Sequence, residues 1–172
     1  GSIQMSSPGT AGVLGILQAI SSLQLSQGGA DTISLGAGSA TTDGDQFVVG
    51  GFGDDTIEVL ALSGHERGIA GDNADLRFDT TGRLISLSTL DVDASTSGAD
   101  FITVAINGSA SGDFNVIAGG MGNDEIDVFA GGPTTDVLAG DGLDYRRAAD
   151  AQGVYQHLFA DVSVPTLGGH DR

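Results

Sequence analysis

The chain has 172 residues, including 29 glycines and no cysteine, and its formal net charge is −17 at pH 7. Its charged residues are Asp, a few Glu and six Arg, without any Lys. Such a chain has no basic patch, so nucleic acid is excluded as a partner and an anionic membrane surface is disfavoured. No apolar run has transmembrane length, so we expect no direct membrane insertion. A secreted chain without disulfides needs another source of stability, and bound metal can supply it.

The first residues suggest an expression remnant followed by repeat sequence. Gly1-Ser2 resembles the scar of a cleaved tag. The apolar segment AGVLGILQAI, residues 11–20, has the character of a signal-peptide core but lacks a preceding basic segment. It stands about one repeat period before RLISLST at 83–89, so we interpret it as strand-forming repeat sequence.

A 69-residue internal repeat runs through the chain, and repeats of this length indicate an array of similar units. The matching pairs are GADTI 29–33 with GADFI 98–102, GGFGDDTIEV 50–59 with GGMGNDEIDV 119–128, and AGDNAD 70–75 with AGDGLD 139–144. We divide the chain into the tail of a preceding repeat with the scar (1–28), copy 1 (29–97), copy 2 (98–168) and the start of a further repeat (169–172).

Two nonapeptides, GGFGDDTIE at 50–58 and GGMGNDEID at 119–127, fit the pattern GGxGxDxUx, where U is a large apolar residue. Partial matches occur at 70–78, 131–139 and 139–147. These residues resemble the RTX (repeats-in-toxin) calcium-binding repeats. The resemblance implies six-residue loops alternating with three-residue strands. It also implies that calcium is held by loop carbonyls and the sixth-position Asp, while the eighth-position residue points inward.

The expected fold class is all-β, a right-handed parallel β-roll or β-solenoid with Gly/Asp-rich loops. Its parallel strands would include FVV 47–49, TIEV 56–59, VIA 116–118 and EIDV 125–128, with buried inner faces. Each turn takes 20–27 residues, longer than the family's eighteen, and DTTGR at 79–83 and ADAQG at 149–153 predict hairpin-like excursions. An all-β sandwich whose Asp-Gly segments are plain turns remains the alternative.

The sixth positions of the pattern divide into two columns. One is entirely Asp and consists of Asp31, Asp55, Asp75, Asp100, Asp124 and Asp144. The other holds Gln46, Arg67, Asn115 and Asp136, and an Arg cannot ligate calcium because it has no acceptor. We therefore expect calcium along the Asp column. The predicted metal-site residues are Asp31, Gly51, Gly53, Asp55, Asp72, Asp75, Asp100, Gly120, Gly122, Asp124, Asp141 and Asp144, with Asp54, Asn115, Asn123 and Asp136 as further candidates.

The sequence shows no catalytic constellation, so we expect no enzyme activity. The expected function is that of a calcium-binding structural repeat, which contacts neighbouring repeats of the same polypeptide and folds on calcium binding outside the cell. The parent protein would be a secreted or cell-surface, adhesin-like protein. Two alternatives remain: the calcium-dependent tail of a secreted enzyme, and a carbohydrate- or ice-binding β face. The latter needs a regular Thr or aromatic ladder, and Thr32, Thr56 and Thr103 are scattered in the sequence.

Overall fold

The computed structural model describes residues 2–5, 17–23, 27–36, 44–90, 97–109, 112–147, 155–160 and 172. Within these ranges every regular element is a β-strand, so the expected all-β class is confirmed. The strands are Ser2–Met5 (β1), Leu17–Ser21 (β2), Thr32–Leu35 (β3), Gln46–Val49 (β4), Thr56–Leu62 (β5), Glu66–Ala70 (β6), Ala74–Phe78 (β7), Leu84–Thr89 (β8), Phe101–Asn107 (β9), Asp113–Ala118 (β10), Glu125–Ala130 (β11), Thr134–Ala139 (β12), Leu143–Arg147 (β13) and Tyr155–Ala160 (β14).

Eight strands form two parallel sheets that share one core. The first parallel sheet has the order β3-β5-β9-β11, and the second has the order β4-β6-β10-β12. Apolar residues alternate along β5 and β9, so that Ile57 and Ile102 lie in register and fully buried. They pack with Ile69 and Ile117 of the second sheet. Period-two alternation therefore places one face of each sheet in a common core.

The remaining six strands form an antiparallel sheet in the order β1-β2-β7-β8-β13-β14. Its inner face supplies Leu76, Leu87 and Tyr145 to a second core, which also contains Phe114 of the second parallel sheet. The sequence favours antiparallel pairing of β7 and β8 because a tight turn joins them. In that turn the Asp79 carboxylate accepts hydrogen bonds from the Thr81 and Arg83 amides, at 2.7 and 3.1 Å.

The prediction of a single right-handed parallel β-roll is wrong, because the strands form three separate sheets and one of them is antiparallel. The physical reason is the DTTGR turn, which reverses the chain so that β8 pairs antiparallel with β7. The β13–β14 pair is antiparallel in the same way, although its turn at 149–153 lies outside the described residues. The predicted hairpin-like excursion at 79–83 is therefore confirmed.

The chain passes through the three sheets twice in the same order. Strands β3 to β8 alternate between the two parallel sheets and then form two strands of the antiparallel sheet, and β9 to β14 do the same. Three of the six pairs of equivalent strands begin 69 residues apart, as Thr56 and Glu125 do for β5 and β11, and the other three begin within two residues of that period. The segments 11–16 and 161–171, which include most of AGVLGILQAI and the GGHD sequence, lie outside the described residues.

A row of polar residues crosses the second parallel sheet. Gln46, Arg67, Asn115 and Asp136 lie in register on four neighbouring strands. The Arg67 side chain is fully buried, and its Nη1 donates to Asp113 Oδ1 at 2.8 Å and to Asn115 Oδ1 at 3.2 Å. The Arg67 guanidinium therefore supplies a buried positive charge within this row of the second parallel sheet.

Candidate metal centre

Four of the predicted aspartates form a row at the start of the first parallel sheet, which we call the aspartate ladder: Asp31, Asp55, Asp100 and Asp124. Each lies one residue before its strand. Asp55 Oδ1 accepts the Asp31 amide at 2.8 Å, Asp100 Oδ1 accepts the Asp55 amide at 2.8 Å, and Asp124 Oδ1 accepts the Asp100 amide at 2.9 Å. The carboxylates thus follow one another at the spacing of adjacent strands.

The second carboxylate oxygens of Asp55 and Asp100 have a different environment. Both side chains are buried, and neither Oδ2 has a hydrogen-bond partner among the described residues. Asp100 Oδ2 and the carbonyl oxygen of Gly119 both border the position that a Cβ on Gly71 would occupy. Asp55 Oδ2 and the carbonyl oxygen of Gly71 both border the position that a Cβ on Gly50 would occupy. A buried carboxylate oxygen beside carbonyl oxygens is unfavourable unless a proton or a cation compensates its charge.

Burial raises the pKa of both carboxyl groups. The pKa of Asp55 rises from 3.8 to about 6 and that of Asp100 from 3.8 to about 8, mainly because burial penalises the charged form. The neighbouring charges of Asp31 and Asp54 raise the Asp55 value further, and those of Asp124, Asp55 and Asp54 raise the Asp100 value. The amide hydrogen bonds at Oδ1 act in the opposite direction without cancelling the rise.

Other predicted residues lie beside the ladder without joining it. Asp72 is buried and connects two loops, because its carboxylate accepts the Gly98 amide at 3.1 Å and the Met121 amide at 2.8 Å. Asp54 accepts the Ala99 amide at 2.9 Å. Asp141, the equivalent of Asp72 in the second copy, has a buried Oδ1 without a hydrogen-bond partner among the described residues.

The structure separates four further candidates from the ladder. Asp75 and Asp144 lie within β7 and β13 of the antiparallel sheet, where they pair with Arg77 and Arg146. Asn115 and Asp136 belong to the polar row of the second parallel sheet, where Asn115 Nδ2 donates to Asp136 Oδ1 at 2.6 Å. The column of six aspartates therefore divides, with four in the ladder and two on another sheet.

The predicted loop glycines adopt the backbone conformation that their role requires. Gly51, Gly53, Gly120 and Gly122 have φ values of 110°, 120°, 119° and 146°, which L side chains rarely adopt. Asn123 is an exposed residue of the same loop as Gly122. The sequence analysis did not select Gly50, Gly71 and Gly119, which leave the space for the ladder carboxylates. The repeated AGD at 70–72 and 139–141 was the available signal for Gly71.

A metal ion at the ladder would need backbone ligands. Among the described residues, no three His, Cys, Asp or Glu side chains form a group that could hold a metal ion. Calcium nevertheless accepts backbone carbonyl oxygens and flexible geometry. The oxygens of Asp55 and Asp100, together with the Gly71 and Gly119 carbonyls beside them, are the donor types that calcium prefers. These residues fit calcium in their chemistry.

Fold and site together define an all-β protein of two parallel sheets and one antiparallel sheet, with an aspartate ladder at a loop edge that is buried at Asp55, Asp100 and Asp124. Comparison of the chain with protein-family models, curated proteins and solved structures finds no match in any of the three. The RTX resemblance therefore rests on the repeat motifs alone. A search of the described residues for a helix long and apolar enough to cross a membrane finds none.

The raised pKa values predict that the calcium-free protein is more stable in mild acid. The folded chain holds protons on Asp55 and Asp100 that the unfolded chain has released above pH 4. Their contribution to stability is fully present below about pH 4 and is lost as the pH rises through 6 and 8. We expect the melting temperature in EDTA to fall between pH 5 and pH 8.5, with a smaller fall for Asp100→Asn. An equal fall in the variant would contradict this assignment.

Gly71→Ala should destabilise the protein because the space for its Cβ is already filled. That atom would overlap Asp100 Oδ2 and would lie 2.6 Å from the Gly119 carbonyl oxygen. We expect a loss of about 1–3 kcal/mol in the free energy of unfolding, measured by urea denaturation. Gly29→Ala is the matched control, because a Cβ there would meet nothing within 4 Å. Equal stability of the two variants would argue against the packing described here.

Proposed function

We propose that this protein binds calcium at the aspartate ladder, and that binding stabilises the fold. One observation supports the proposal above the others: Asp55 and Asp100 each bury a carboxylate oxygen that has no hydrogen-bond partner among the described residues. A glycine carbonyl oxygen borders the same glycine-lined space as each of these oxygens. The arrangement is unfavourable for the calcium-free, ionised protein and favourable for a protein that holds a cation.

The energetic role of the ion follows from the ladder itself. When ionised, the carboxylates repel one another, and the strand spacing holds them in a row. Calcium supplies the opposite charge without requiring strict geometry. Because calcium binds the folded chain, it adds about 2.7 kcal/mol per site at a hundredfold excess over the dissociation constant. Several sites in series would make folding steeply dependent on calcium.

The wider role that we propose is structural support in a larger secreted or cell-surface protein. The GGxGxDxUx segments at 50–58 and 119–127 resemble RTX repeats, which function where calcium is plentiful. Extracellular modules bind calcium with dissociation constants on the order of 10⁻⁴–10⁻³ M. The long 69-residue period favours an adhesin-like segment over the tail of a secreted enzyme, because long periodic arrays suit extended structures.

The test of calcium binding uses the 172-residue chain after treatment with EDTA. Calcium chloride is titrated while heat is recorded by calorimetry and β-structure by circular dichroism, with magnesium chloride as the control. We expect saturable binding of calcium, a higher melting temperature, and little response to magnesium, which demands stricter geometry. A chain with the same melting temperature in EDTA and in 10 mM calcium, and without binding heat, would overturn the proposal.

A further inference from the structure

The outer face of the antiparallel sheet holds two copies of one polar arrangement, which we call the Ser–Asp–Arg triads. In the first, the Ser21 hydroxyl donates to Asp75, and Arg77 Nε donates to Asp75 Oδ2 at 2.5 Å. In the second, the Ser88 hydroxyl donates to Asp144 Oδ1 at 2.8 Å, and Arg146 Nε donates to the same oxygen at 3.1 Å. The six residues belong to strands β2, β7, β8 and β13.

The Asp–Arg pair of each triad is retained between copies, although its Arg side chain is exposed. Asp75 and Arg77 recur 69 residues later as Asp144 and Arg146, and the two Arg side chains are 49% and 64% exposed. On the first parallel sheet, in contrast, the exposed Thr32 is replaced by Phe101 in the second copy. An exposed ion pair contributes only about 0–1 kcal/mol, so stability is a weak reason for keeping both. Retention on a solvent-facing surface points to recognition.

The triads have the chemistry of a surface that binds sugar hydroxyls. Each guanidinium is neutralised by its own Asp and held in place, and the bond to Asp75 Oδ2 uses only the Nε donor of Arg77. The remaining N–H groups, the carboxylate oxygens and the Ser hydroxyls put donors and acceptors side by side. Neighbouring hydroxyls of a sugar ring, which both donate and accept, match such a pattern. A polyanion is a poor match, because the net charge of −17 repels it.

The spacing of the triads suits an extended chain. Strand β8 lies between β7 and β13, so Asp75 and Asp144 both pair with Ser88 and stand about 10 Å apart, twice the interstrand distance. Ser86 lies in register between Arg77 and Arg146. The next strand places Phe159 in register with Asp144. We propose that this face binds a neutral polysaccharide, with one triad for each of two neighbouring segments of the glycan chain. The proposal is independent of calcium binding.

The experiment measures binding of neutral glycans to the 172-residue chain in calcium-containing buffer. The probes are dextran, maltohexaose and cellohexaose, with dextran sulfate as the anionic comparison, and affinity is measured by calorimetry. We expect at least one neutral probe to bind and the double variant Arg77→Gln/Arg146→Gln to lose about tenfold or more in affinity. Arg83→Gln is the matched control, because Arg83 is also exposed but pairs with Glu66 away from the triads.

Three results would overturn the glycan proposal: no binding of any neutral probe, binding of dextran sulfate alone, or equal affinity of the double variant and the parent. Circular dichroism and the melting temperature establish that the double variant is folded. If it unfolds, Ser86→Tyr, which blocks the space between the two Arg side chains, replaces it. Calcium binding is measured on the same samples, so failure of one proposal is distinguishable from failure of the other.

Discussion

Asp100→Asn is expected to abolish most of the calcium response while making the calcium-free protein more stable. The Asn side chain can still accept the Asp55 amide through Oδ1, a bond of 2.8 Å in the parent. Its amide would replace a buried oxygen that has no hydrogen-bond partner among the described residues. Because the Asp100 pKa is raised to about 8, we expect a gain on the order of 2–4 kcal/mol in EDTA at pH 7.

The prediction is stringent because the same substitution is expected to raise stability without calcium and to lower it with calcium. In 10 mM calcium the same variant should be less stable than the parent, because a ligand of negative charge has been removed. Urea denaturation with and without calcium measures both effects. Asp75→Asn is the matched control, since Asp75 lies on the antiparallel sheet and pairs with Arg77. If Asp100→Asn responds to calcium like the parent, or is destabilised equally in EDTA and in calcium, the ladder is not the calcium site.

Arg67→Met is expected to destabilise the protein by about 3–5 kcal/mol, with calcium present or absent, because it leaves a buried charge without its partner. The Arg67–Asp113 ion pair is 2.8 Å long, and both side chains are buried. After the substitution, the Gly64 amide still donates to Asp113 Oδ1 at 3.1 Å. Urea denaturation at pH 7 gives the free energy of unfolding.

A second substitution separates charge from packing at this position. In Arg67→Met/Asp113→Asn the unpaired charge is removed, so we expect recovery of at least half of the lost stability. Arg83→Met serves as the surface control, because its ion pair with Glu66 is exposed and contributes about 0–1 kcal/mol. A double variant no more stable than Arg67→Met would show that side-chain volume, and not the buried carboxylate, decides the loss.

Local patterns in the sequence were sufficient for much of the site. The sixth-position rule identified Asp31, Asp55, Asp100 and Asp124, which the structure brings into one row. The glycine positions 51, 53, 120 and 122 all have positive φ. These features depend on contacts between neighbouring loops of similar sequence. Because the pattern recurs along the chain, equivalent residues of such loops come to lie next to one another. The second column, Gln46 to Asp136, lies in register for the same reason.

The same rule failed to separate Asp75 and Asp144 from the ladder. Both have the correct position in the pattern, but they lie within strands instead of before them. Ser88 pairs with both Asp75 and Asp144, and its pairing with Asp144 joins residues more than 50 positions apart in the sequence. No local signal distinguishes an Asp that precedes a parallel strand from one inside an antiparallel strand. Long-range strand pairing makes that distinction.

The amino-acid sequence by itself determined the all-β class, the 69-residue period and the glycine-dependent loops, because alternation and backbone freedom are local properties. Only the tertiary structure decided that the strands divide into three sheets, and that Asp55 and Asp100 are buried beside glycine carbonyls while Asp75 and Asp144 face outward with arginines. The physical reason is that sheet membership and burial depend on which distant strands pair, and the hairpin turn at 79–83 redirects that pairing.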